Sequence, residues 1–182
     1  MSATAIAELS AALTEVADAV RPEHLGGRTP CAAFDTAALL GHLAGSLAMC
    51  ERAARKLAGP LPAVGSTAKE VADAARSVGT AWQLAQAPLG DTDMGFGRMP
   101  AALAVTITVQ ELGLHGWDLA RAIGHPYRIS EETEQTVLEA VEEFAARARA
   151  SRSYGPALRL SPNTPALLRA LAASGRSPFW TG

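Results

Sequence analysis

Residues 101–123 read AALAVTITVQELGLHGWDLARAI. Pro100 stands before the stretch and Gly124 after it, residues that suit the first turn and the end of a helix. Between them Ala104, Ile107, Glu111, His115, Asp118 and Ala122 recur at steps of three and four, which keeps them on one helical face. That stripe is apolar at both ends and ionisable in the middle, with Leu103, Leu114 and Leu119 on the flanking stripes. A helix of this kind turns part of its chemistry toward a core, so the rest of the chain must supply partners that bury it.

The rest of the chain is suited to that task. Alanine occurs 39 times, whereas valine and isoleucine together occur 13 times. Alanine has the highest helix propensity and β-branched residues favour strands, so an all-α fold is expected. A first helix is expected over residues 4–20, ending before Pro22. A second, capped by Asp35, runs over 36–57 and stops at Gly59-Pro60. A capping box of Thr67 and Glu70 opens a third, which ends before Pro88. The fourth spans 100–123. Ser130, followed by Glu131 and Glu132, opens a fifth to about residue 150. Residues 61–66 read as a linker, and 89–99, LGDTDMGFGRM, as a loop. The Pro-rich tail carries one short helix over 166–173. These lengths predict one domain over residues 1–182, an antiparallel four-helix bundle with an extra helix and a wrapped C-terminal tail.

Composition excludes several classes of function. Sixteen Lys and Arg against 18 Asp and Glu give a net charge of −2, so no basic excess draws the chain onto nucleic acid or an anionic membrane. The longest run without a charged residue, 36–50, contains His42 and two glycines and is too short and polar to cross a bilayer. The first ten residues lack the basic start of a secretion signal. Cys31 and Cys50 form no CxxC pair and no disulfide framework, which points to a reducing cytoplasm. A homodimer is as compatible with an apolar bundle flank as a monomer.

The second helix carries Leu39, Leu40, Leu43 and Leu47, with His42 in line with Leu39, Ser46 and Met49. If this helix neighbours the fourth, His42 meets Glu111 and His115. Two imidazoles and a carboxylate, with positions left for substrate, suit zinc, and also nickel, iron or manganese. Asp118, one turn on, can orient an imidazole. The plainer alternatives are a surface Glu–His pair and a hydrogen-bonded core histidine. Cys31 and Cys50 read as packing rather than nucleophiles, His24 and His125 as loop residues, Trp117 as packing, Phe96 as a cover or pocket entrance, and Trp180 as a plug for the tail. The pair Gly95 and Gly97 precedes a helix but follows no predicted strand, so a dinucleotide site is not expected.

The segment TPCAAFDTAALLGHLAG (29–45) resembles the signature of actinobacterial metal-binding proteins related to mycothiol-dependent maleylpyruvate isomerases, in the DinB-like four-helix-bundle superfamily. QELGLHGWDLARAIGHP (110–126) resembles their second signature, GFGRMPAAL (95–103) the glycine-rich loop before it, and YGPALRLSPNTPALLRALAASGRSP (154–178) the family's ending. Phe34 stands where that family more often has tryptophan. The resemblance implies a zinc-like site on His42, Glu111 and His115, and mycothiol as the low-molecular-weight thiol partner. It further implies a small-molecule enzyme, a thiol transferase or thiol-assisted isomerase in which the metal stabilises a thiolate. Glu111 and Arg98 are then the candidate catalytic residues, with Arg98 and Arg121 available to an anionic substrate; an Asp118–Arg121 ion pair is the simpler use of Arg121. A metal-dependent hydrolase or lyase working through activated water, and a metal- or ligand-binding protein without catalysis, are the alternatives.

Overall fold

The computed structural model describes residues 2–61 and 63–182. Met1, and Pro62 of the linker expected at 61–66, lie outside them. The chain is mainly helical. Helix α1 spans Ser2–Asp18, α2 Thr36–Arg55, α3 Ala68–Ala81, α4 Ala101–Gln110, α5 Gly116–Ala122, α6 Glu131–Ala150 and α7 Ala166–Ala173. Each expected N-cap is in place. Asp35 accepts from the Ala38 amide at 2.8 Å, Thr67 and Glu70 cap each other reciprocally, and Ser130 accepts from the Thr133 amide. At the far end, Gly124 adopts φ +68°, which lets the chain turn away after α5.

Three expectations need correction. The third helix ends at Ala81 instead of running to Pro88, because the amides of Gln83, Leu84 and Ala87 bond three residues back in tight turns. Residues 89–99 are not simply a loop. Asp91–Asp93 (β1) pairs antiparallel with Arg98–Pro100 (β2), and Asp93 accepts from the amides of Gly95 and Gly97 across the tip. Those glycines sit at φ +106° and +119°, where a side chain would be strained; they serve this turn. Finally, the expected fourth helix is not one α-helix. Between α4 and α5 lies a π-helical segment, Glu111–His115.

The core explains the alanine count. Helix α1 packs on α3, α2 on both α3 and α4, and α6 on α4 and α7. Fully buried Ala44, Ala53, Ala72, Ala75, Ala81, Ala104 and Ala120 let these helices approach closely, while Ile6, Leu9, Leu13, Leu39, Leu40, Leu43 and Leu47 fill the space between. Each such leucine contributes roughly 1.5–3 kcal/mol through burial. At the α1–α3 crossing even alanine is too large at one position, since a Cβ on Gly79 would stand 2.9 Å from the Ser10 Cβ. Glu8 bonds the Ser130 amide and hydroxyl, tying α1 to the start of α6. No helix among the described residues is long and apolar enough to cross a membrane.

Candidate functional site

The π segment holds two of the three residues singled out for metal ligation, at its two ends. A π turn inserts one extra residue into an α-helix, and its wider bend is frequent at functional sites. Here two glycines permit it. A Cβ on Gly113 would lie 2.8 Å from the Val137 side chain of α6, and one on Gly116 would lie 2.6 Å from the Tyr127 hydroxyl. Tyr127 donates to the Leu112 carbonyl at 2.9 Å, securing the widened turn from outside. Glu111 and His115 therefore stand at either end of a braced irregularity.

His42 reaches this point from the first half of α2. Its Nε2 lies 3.1 Å from Glu111 Oε2 and 3.4 Å from the Ser46 hydroxyl. One face of its ring stacks on Phe34, centroids 4.9 Å apart, and its edge meets His115 at 4.6 Å. The ligand atoms of His42, Glu111 and His115 all lie within 4.8 Å of one another. The three side chains are partly accessible, His42 at 31%, Glu111 at 23% and His115 at 12%. Burial pushes the Glu111 carboxyl up, but the bond from His42, the charges of His115 and His42 and the Ser46 hydroxyl outweigh it and hold it at about 2. It is thus a carboxylate at any ordinary pH, the form a cation needs.

His115 is anchored from behind. Its Nδ1 lies 3.0 Å from Asp118 Oδ2. Asp118 is fully buried and accepts from Arg176, at 2.9 Å to Oδ1 from Nε and 2.9 Å to Oδ2 from Nη2. Burial pushes the Asp118 carboxyl up; the Arg176 charge and the His115 bond more than reverse this and hold it below the usual range. Arg176 Nη2 also approaches His115 Nδ1, at 3.4 Å. The carboxylate contact is the shorter, so in the neutral imidazole the Nδ1 proton is assigned to it and Nε2 is the nitrogen with the lone pair. A ligating histidine normally shows this carboxylate–imidazole pairing. The donor set thus fits a divalent cation in charge and in nitrogen–oxygen chemistry.

These residues form one wall of a cavity of about 430 Å³, whose lining includes Phe34, Met49, Met94, Ile107, Leu114 and Phe144. The β1–β2 turn delivers buried Met94 to its interior and Phe96, 65% exposed, to its mouth. Tyr154 also lines it and donates to the Gln110 side-chain carbonyl. Burial pushes the Tyr154 hydroxyl well up, so it keeps its proton.

Other expected residues fall elsewhere. Arg98 is 81% exposed, bonds Asp91 at 2.7 Å and borders a separate groove with Arg52 and Lys56. It faces away from the cavity because β2 turns it to solvent. The expected Asp118–Arg121 pair is absent: Arg121 donates to the Trp180 carbonyl and lies over the Trp117 ring, while Asp118 takes Arg176. Trp180 is held on the bundle surface through that bond. Cys31 lines the cavity near His115 and Asp118, but burial pushes its thiol up, against a nucleophilic role. Cys50 is fully buried and its thiol is pushed up to about 12. Trp117 is buried packing; His125 is a loop residue bonded locally, whereas His24, expected in a loop, closes a single 3-10 turn, Pro22–His24, and accepts from the Arg21 amide. Sequence reasoning passed over Arg176, Tyr154 and the π segment. The paired glycines of ELGLHG inside a helical stripe were the signal for the last; nothing local marks Arg176, 58 residues from its partner. Comparisons with protein-family models, with curated proteins and with solved structures found no match for this chain.

Proposed function

We propose that this chain is a divalent-metal-dependent enzyme acting on a small molecule, with the metal held by His42, Glu111 and His115. On this reading the helices form an antiparallel four-helix bundle of the DinB-like kind, with α6 and α7 as additions, related to the mycothiol-dependent maleylpyruvate isomerases. The observation that carries it is the conjunction at His115. One nitrogen is tied to a buried Asp118–Arg176 pair, and the same ring brings a ligand atom within 4.8 Å of those of Glu111 and His42 on a cavity wall. A surface Glu–His pair has no need of a buried ion pair behind it.

When bound, zinc or a similar cation supplies the positive charge that lets a thiol lose its proton near neutral pH. The chain's own residues do the rest. Glu111 and the two imidazoles fix the position of that charge. Phe34, Met49, Met94 and Leu114 give an apolar wall that excludes water from a carbon skeleton. Tyr154, its proton committed to Gln110, shapes the wall as a donor already satisfied. Thiol transfer or thiol-assisted isomerisation is the reaction class, with mycothiol as the thiol; Arg98, turned away from the cavity, drops out of the catalytic set.

Metal content per chain, measured by elemental mass spectrometry on untagged protein, tests the reading. About one zinc-like ion in the native chain, lost in Glu111→Ala and His42→Ala, is expected. No metal in any sample after loading with zinc, nickel, iron and manganese overturns it. Consumption of an electrophile that is equal with and without a low-molecular-weight thiol favours the hydrolase or lyase alternative, and no turnover by metal-loaded protein favours a binding protein.

A further inference from the structure

Two residues other than glycine adopt positive φ among the described residues, Lys56 at +55° and Arg152 at +62°. Both follow the end of a long helix, at the left-handed position where glycine is usual. At Arg152 the termination is a complete Schellman motif. The Ser153 amide donates to the Ala148 carbonyl at 2.8 Å, and the Arg152 amide to that of Arg149 at 3.1 Å. A side chain in this backbone conformation is strained, so each position needs a reason to hold a long cation.

Lys56 has one in the fold. Its ammonium donates to the carbonyls of Leu89 at 2.7 Å and Asp91 at 3.2 Å, fastening the β1–β2 ribbon to α2. Arg152 has none. Its guanidinium makes no ion pair or hydrogen bond with any described residue, and it lines the cavity that holds His42, Glu111 and His115. The other ionisable groups of that lining already have partners. Arg176 is matched by Asp118, and Glu111 meets His42. Arg152, exposed at the mouth, is the uncompensated cation.

We propose that Arg152 is a specificity-determining residue which receives the anionic group, foremost a carboxylate, of a substrate whose apolar body lies along Phe34, Met94 and Phe144. The planar guanidinium offers two parallel donors to a carboxylate, and a half-open cavity lowers the screening such a pair meets in bulk water. The helix end holds the arginine there by a backbone conformation that a flexible loop would not impose. This proposal rests on the cavity being the substrate site and not on the metal.

The test uses 4-phenylbutanoate and its neutral amide as probes, titrated by ligand-observed NMR into metal-free and zinc-loaded full-length protein. Zinc content is measured on the same samples. In the metal-free native chain the carboxylate is expected to bind about fivefold tighter than the amide. Arg152→Gly should bring that ratio to near one and leave the amide affinity unchanged; Arg152→Lys should keep part of it. Arg152→Gly should also raise the melting temperature, by about 2 °C, since glycine relieves the strain. An unchanged ratio in Arg152→Gly, equal loss of both probes, or a lower melting temperature overturns the proposal. Zinc binding without an Arg152 effect sinks this inference and spares the metal reading; an Arg152 effect in a chain that takes no zinc does the reverse.

Discussion

Replacing Asp118 by asparagine tests the argument that the site is anchored by a buried ion pair. The side chain is fully buried, and its two oxygens accept from Arg176 Nε and Nη2 and from His115 Nδ1, at 2.9–3.0 Å. Asparagine keeps the shape but removes the charge and turns one acceptor into a donor. Arg176, itself 7% exposed, is left as an uncompensated buried cation. Breaking one side of such a pair costs about 3–5 kcal/mol, which for a chain of this size lowers the melting temperature by roughly 10 °C. The same change at Asp73, half exposed and bonded to Lys69 and Arg76, should leave the melting temperature nearly unchanged.

The pH dependence has a definite sign. The folded-state pKa of Asp118 is lowered, so its stabilisation is complete above the unfolded value of about 3.9 and is lost as pH falls through the folded one. Urea denaturation followed by far-ultraviolet circular dichroism, between pH 7 and pH 3, should show an acid limb in the native chain that is shallower in the variant. Arg176→Met alone should also be costly, and Asp118→Leu with Arg176→Met should cost less than the two single changes together. A loss below about 1 kcal/mol for Asp118→Asn, with an unchanged acid limb, would refute the reasoning, because the pair would then contribute no more than a surface one. Zinc affinity should fall about 10–100-fold in the same variant, since His115 loses its orienting carboxylate.

The other expectations are simpler. Gly116→Ala should destabilise by about 1–3 kcal/mol, because its Cβ would stand 2.6 Å from the Tyr127 hydroxyl; a neutral effect in thermal denaturation would mean the π turn is not clamped there. Tyr127→Phe should cost about 1 kcal/mol through the lost bond to the Leu112 carbonyl. At pH 7 a maleimide should label Cys31 more slowly than free cysteine, and Cys50 only on unfolding; fast labelling of Cys31 would contradict its raised thiol. Arg98→Ala should leave zinc content and 4-phenylbutanoate affinity within about twofold, since its partner is exposed Asp91.

The sequence by itself determined where helices begin and what they are made of. Asp35, Thr67 with Glu70, and Ser130 act on amides within three residues, so their effect is local and readable. The 39 alanines set the helical class for the same reason, because propensity belongs to each residue. The stripe Glu111–His115–Asp118 was readable as a face, since either helical form keeps those positions together.

Tertiary structure decided what neighbours what. That α2 packs on α4, bringing His42 to Glu111 across 69 residues, is a property of the assembled core. So is the π turn, which needs Tyr127 and Val137 to press against two glycines that in isolation only weaken a helix. Asp118 had two candidate cations, and the one three residues away lost to Arg176 from the tail. A buried carboxylate is best satisfied by a guanidinium buried with it, and only the folded chain determines which guanidinium that is.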